Sequence, residues 1–210
     1  RLVLKRLQSN QKNSWNELLS WLFMQQKDYD KAYIQEKALH KRSLESLEGI
    51  VRLGKIAFDN KEYETTEKCF DYVLENTVDV VEIMDAKLYK LHINIETSED
   101  LGIVNSQFQA LFNEYGKSTS TLDIQIAYAD FLTFKYNQPD QAIKVLKGAL
   151  KLRSNNFQKG AIKIKLGEVL VFNNRFNEAL IYFSQVQASL KNHILAQKAR
   201  FKVAQTSYYK

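Results

Sequence analysis

One proline, seven glycines and one cysteine in 210 residues leave this chain poor in the residues that bend, break or cross-link a backbone. Scarce Gly and Pro argue against a strand-rich fold and predict long helices joined by short connections, so the fold class is all-α. The lone Cys69 excludes an internal disulfide and stands outside any CxxC or Cys/His spacing that a structural zinc needs. No run of 18 apolar residues is present to span a bilayer. His40, His92 and His193 are the only histidines, and none sits in HxxxH, HExxH or a paired-carboxylate context. Gly102, Gly116, Gly148 and Gly160 assemble neither GxGxxG nor a P-loop. The expectation is a non-enzyme, with no catalytic residues, no metal site and no cofactor.

What the chain has is a recurring phrase. Lys27-Asp-Tyr-Asp-Lys-Ala32 and Asn60-Lys-Glu-Tyr-Glu-Thr-Thr66 stand 34 residues apart, and Asn173-Asn-Arg-Phe-Asn-Glu-Ala179 repeats the pattern near the far end. In register with it, Ile50, Leu53, Gly54 and Ala57 precede Tyr63, Thr66, Phe70 and Val73, while Leu166, Gly167 and Leu170 precede Phe176, Ala179, Phe183 and Val186. Apolar or small residues three and four apart mark one face of a helix, so each unit reads as two amphipathic helices. Five such units are expected, at 14–43, 47–76, 85–115, 123–152 and 160–190, with partial helices at 1–12 and 193–210. In each unit a turn-side residue (Ala32, Thr66, Val104, Ala142, Ala179) follows its first-helix partner (Leu19, Leu53, Leu91, Ala129, Leu166) by 13 residues. From Tyr63 to Leu101, Pro139 and Phe176 the spacing stretches to 38, 38 and 37, which puts the extra residues in the connections between units. Gly54 and Gly167 are expected to meet Thr66 and Ala179, letting helix axes approach, while Phe70 and Phe183 fill the grooves between units.

Leu53-Gly54 with Thr66-x3-Phe70, and Leu166-Gly167 with Ala179-x3-Phe183, resemble the tetratricopeptide repeat, whose pattern runs W-x2-L-G-x2-Y, A-x3-F, P. The resemblance covers about residues 14 to 190, lacks the terminal Pro, and finds Trp15 one place early. It implies a right-handed α-solenoid of antiparallel helix pairs whose concave wall is lined by first helices. The chain opens Arg1-Leu2-Val3 and closes on Tyr208-Tyr209-Lys210, and we read it as a segment of a longer bacterial array. The reading leaves cytoplasm and periplasm equally open.

On that register the partner groove falls to Trp21, Lys55, Phe58, Tyr89, Phe131, Phe134 and Glu168. Lys55 without a companion Asn does not make the carboxylate clamp found in some members of the resembled family. His92 is expected as a core histidine with one hydrogen-bond partner. The function expected is therefore a protein-binding scaffold holding a partner protein or peptide.

Charge divides along the chain. Residues 1–140 carry 17 Lys/Arg against 22 Asp/Glu, and residues 141–210 carry 13 against 2. Lys144, Lys147, Lys151, Arg153, Lys159, Lys163 and Lys165 run without an acid between Asp140 and Glu168. This candidate basic surface supports an alternative, a nucleic-acid-binding helical repeat. A third expectation is self-association, the acidic stretch from Asp59 to Asp85 docking on the basic end of another copy.

Overall fold

The computed structural model describes residues 9–43 and 46–210, so the helix expected over 1–12 lies outside the described residues up to position 8. Among the described residues every long element is an α-helix. The chain divides into two compact units, the first ending at Thr97 and the second starting at Ser98. That boundary falls between the two helices expected at 85–115.

Unit 1 comprises α1 (Ser9–Gln25), α2 (Tyr29–Ser43), α3 (Glu48–Asp59), α4 (Tyr63–Asn76) and α5 (Val80–Thr97). Each helix packs on the next, and α2 also packs on α4. The core is built where the 3.6-residue period predicts it: Ile50, Leu53 and Ala57 of α3 meet Cys69, Phe70 and Val73 of α4 in one buried cluster. Polar ties lie beneath the apolar contacts. Ser20 Oγ donates to Glu36 Oε1 at 2.5 Å, and Arg52 approaches the same oxygen at 3.6 Å. Gly49 makes room for that buried carboxylate, because a Cβ there would lie 2.0 Å from Glu36 Oε2. His40 Nδ1 and Tyr72 Oη, 3.0 Å apart, link α2 to α4.

Unit 2 comprises α6 (Leu101–Tyr115), a 3-10 turn (Thr119–Thr121), α7 (Leu122–Phe134), α8 (Pro139–Ala149), α9 (Asn156–Phe172), α10 (Phe176–Ser189) and α11 (Ile194–Tyr209). Alternate helices also touch, α7 with α9 and α9 with α11, so three first helices stand side by side. Phe108 of α6 packs its ring against Tyr128 and Phe131 of α7. Asn155 opens α9 with a reciprocal cap, its side chain accepting from Gln158 N while Gln158 Oε1 accepts from Asn155 N.

The 13-residue spacing has a structural cause. Ala32, Thr66, Val104, Ala142 and Ala179 are all fully buried, which admits only small or compact side chains at the pivot of each pair. Five residues before four of these pivots, Lys27, Lys61, Asn137 and Asn174 all adopt φ between 53° and 64°. In three of these turns the next residue closes on a carbonyl five back: Asp28 N on Phe23 O, Glu62 N on Ala57 O, Arg175 N on Leu170 O. That is the backbone closure of a helix C-terminus in which one residue turns left-handed. The turn between α7 and α8 is one residue wider, Gln138 N reaching Leu132 O ahead of Pro139. At the start of α6 the device is different: Asp100 caps the helix, its Oδ1 accepting from Gly102 N at 2.8 Å and Ile103 N at 3.3 Å.

A left-handed lysine costs what a glycine would not. Lys61→Gly is therefore expected to stabilise the protein by about 0.5–1 kcal/mol, a rise of roughly 1–4 °C in Tm. A thermal melt that shows a fall would mean that the Lys61 side chain itself holds the turn.

Gly54 and Gly167 serve closeness in a different manner from the sequence expectation. The space they leave is taken first by the phenylalanine of the next helix, with Cys69 Cβ beside it at Gly54. A Cβ on Gly54 would sit 2.9 Å from the Phe70 ring, and one on Gly167 would sit 2.4 Å from the Phe183 ring. Both rings are fully buried.

Candidate partner-binding site

In unit 1 the sequence candidates separate into two places. Lys55, Phe58 and Tyr89 come together between α3 and α5. Phe58 contacts Tyr63, Tyr89 and His92 at centroid distances of 5.8 Å each, Tyr89 stacks on Phe70 at 4.6 Å, and the Lys55 ammonium lies 5.4 Å from the Tyr89 ring centre. These are half-buried groups that partner one another. Trp21 stands apart on α1, 53% exposed, in an outward apolar row with Trp15, Leu18 and Leu22. His92 is half-buried against the Phe58 and Tyr89 rings rather than held by the hydrogen-bond partner expected. Burial pushes its pKa down, opposed by Glu96.

Cys69 is buried, and desolvation, with the Glu36 and Asp30 charges adding to it, pushes its pKa up to about 12. At pH 8 a thiol with that pKa is roughly one part in ten thousand thiolate. The folded protein is thus expected to leave a disulfide reagent such as DTNB unreacted, with one thiol per chain released as urea unfolds it. Rapid reaction in native buffer would contradict the burial.

In unit 2 the structure corrects one groove candidate and extends the others. Phe131 is 1% exposed, packed against Phe108, Tyr128 and Tyr136, so it belongs to the core and presents nothing to a partner. The reason is visible in α7, which is buried on most of its circumference and leaves only Asp123, Phe134 and the half-buried Ile126 and Asp130 toward solvent. Phe134 is 51% exposed, and its ring meets that of Phe172, 47% exposed, at 5.3 Å. Together with Glu168, Val171, Phe183, Lys202, Gln205, Thr206 and Tyr209 they line a cavity of about 390 Å³ among α7, α9, α10 and α11. Sequence reasoning missed Phe172, Lys202 and Tyr209, although four-residue steps (130/134, 168/172, 198/202) place a charged and an apolar or second charged group on one helix face.

The cavity has a charged end. Lys165 Nζ lies 2.8 Å from Asp130 Oδ2 and 3.0 Å from Glu168 Oε2. Glu168 Oε1 is 3.2 Å from Lys202 and 3.6 Å from Lys198. Burial pulls on both carboxyls, but it prevails at Asp130, whose pKa is raised, while the three ammonium groups prevail at Glu168, whose pKa is lowered. Asp130 Oδ1 is buried without a hydrogen-bond partner among the described residues. Lys165 is consequently neutralised inside this network and is removed from the expected basic surface.

The remaining cations keep their places. Lys144 and Lys147 project from the outer face of α8, with Lys151 and Arg153 exposed beyond its end, and Lys159 and Lys163 are half-buried on α9. The acidic stretch of unit 1 is partly neutralised where it stands, Lys68 pairing with Glu64 and Asp30, and Lys90 with Asp71 and Glu67. Among the described residues no cluster of His, Cys, Asp or Glu is arranged to hold a metal ion.

No protein-family description and no curated protein matches the chain. Solved structures do. The chain is similar to a thermophilic tetratricopeptide repeat protein of Thermus thermophilus, at 14% identity over 93% of this chain and 99% of that one, with a TM-score of 0.63. A tetratricopeptide repeat protein of Parabacteroides merdae aligns at 14% identity over 91% and 70%, TM-score 0.63. Yeast Tom70 aligns at 15% identity over 99% of this chain and 45% of its own, TM-score 0.58. With eleven α-helices and no strand among the described residues, the chain carries the all-α helical-repeat fold of tetratricopeptide repeat proteins.

Proposed function

We propose that this chain is a non-enzymatic scaffold that holds a segment of a partner protein against its first helices. The observation that carries the reading is the pair Phe134 and Phe172, about half exposed and in edge-to-face contact over an open cavity. Exposed aromatic anchors beside charged side chains are what a binding hot spot requires. The shared fold supports the class of function, and the cavity supports the place.

The test is positional. A photoreactive phenylalanine analogue at position 134 or 172 is expected to cross-link a partner, while the same analogue at Ile181, exposed on α10, labels nothing reproducibly. Equal labelling at both places would defeat the reading. The nucleic-acid alternative loses Lys165 to the internal network, and the outer face of α8 that carries Lys144 and Lys147 offers no ring for bases to stack on.

A further inference from the structure

We propose that Glu168 is an internal stand-in for a carboxylate of the bound partner, so that the cavity of unit 2 takes an acidic peptide segment carrying one large apolar side chain. The proposal rests on the reading that this cavity holds a partner segment, and adds the chemistry of that segment. Asp130 and Lys165 form a pair at 2.8 Å. Lys198 and Lys202 on α11 have no ion pair among the described residues except with Glu168, and both approach the same oxygen, Oε1. Three ammonium groups thus face two carboxylates, and of the two that reach Glu168 Oε1 from α11, Lys202 lines the cavity while Lys198 is 50% exposed.

An arriving carboxylate replaces Glu168 at Lys198 and Lys202, and Glu168 keeps Lys165 at 3.0 Å. One anion substitutes for another, so no ammonium group is left desolvated and unpaired. The apolar end lies one helical turn along α9, from Glu168 to Phe172, about 6 Å away. The acid and the apolar anchor of the partner therefore stand next to each other or one turn apart. Field and contact agree: residues 141–210 carry 13 cations against 2 anions, which draws an acidic segment and repels a basic one.

Anisotropy titrations of peptides roughly twelve residues long, acetylated and amidated, with a central Phe flanked by Glu, Gln or Lys, test this directly. The Glu-flanked peptide is expected to bind tightest and to weaken with salt. Lys202→Gln is expected to weaken it about tenfold, the loss of one charge-assisted contact, and to leave the Gln-flanked peptide unchanged. Glu168→Gln is expected to tighten the Glu-flanked peptide several-fold, because it removes the internal competitor. Tightest binding by the Gln- or Lys-flanked peptide, weaker Glu-flanked binding by Glu168→Gln, or no binding by any of the three would overturn the proposal. Cross-linking at positions 134 and 172 would still stand or fall by itself. Should Glu168→Gln lower the melting temperature, Lys198→Gln and Lys202→Gln decide the matter, since in them Glu168 retains Lys165.

Discussion

Gly167→Ala is expected to destabilise the protein by about 1–3 kcal/mol, although alanine is the better helix former by about 1 kcal/mol. Its new methyl would lie 2.4 to 2.9 Å from three atoms of the Phe183 ring, and that ring is fully buried. Relief requires α9 and α10 to part, and that separation withdraws the apolar surface of Leu166, Leu170 and Val186 from close contact. Gly148→Ala is the internal control. Nothing lies within 4 Å of a Cβ there, so only the propensity term acts and the variant should gain about 0.5 kcal/mol. Urea titrations of the two variants should move in opposite directions, and equal shifts would refute the packing argument.

Phe131→Ala is the second large effect, a loss of about 3–5 kcal/mol, the range for removing a fully buried phenylalanine. Its ring touches Phe108, Tyr128 and Tyr136, so the hole opens in the middle of unit 2. Phe134→Ala, three positions on, should cost about 1 kcal/mol or less and act on partner binding instead. The contrast separates core from surface on a single helix. If Phe131→Ala folds with wild-type stability and fails only in binding, the assignment of α7 is wrong.

These two helical positions also show how far the sequence could be read. Period and spacing make the helices legible, because one buried pivot per pair, from Ala32 to Ala179, forces small residues at a fixed interval. The Gly–Phe contacts are legible as a motif, yet their geometry is not: whether Gly167 admits Ala179 or Phe183 depends on where the next helix lies. The groove fails for the same reason. Period 3.6 places Phe131 and Phe134 within about 60° of each other around the axis, and only the neighbours of α7 decide that one is covered and the other left open. Lys165 reads as one more surface cation until Asp130, 35 positions away, is seen at 2.8 Å. Charge runs report composition, whereas charge pairs depend on tertiary approach.

The turns carry a consequence for how this sequence can vary. Where the chain reverses through a left-handed residue, as at Lys27, Lys61, Asn137 and Asn174, the instruction is written in backbone angles, and both lysine and asparagine carry it. Substitutions can accumulate there without rewriting the joint. At the head of α6 the instruction rests on a single carboxylate, that of Asp100, holding two amide groups. Four joints set by a backbone angle and a fifth set by a side-chain cap make Asp100→Ala the substitution that would change where a helix begins.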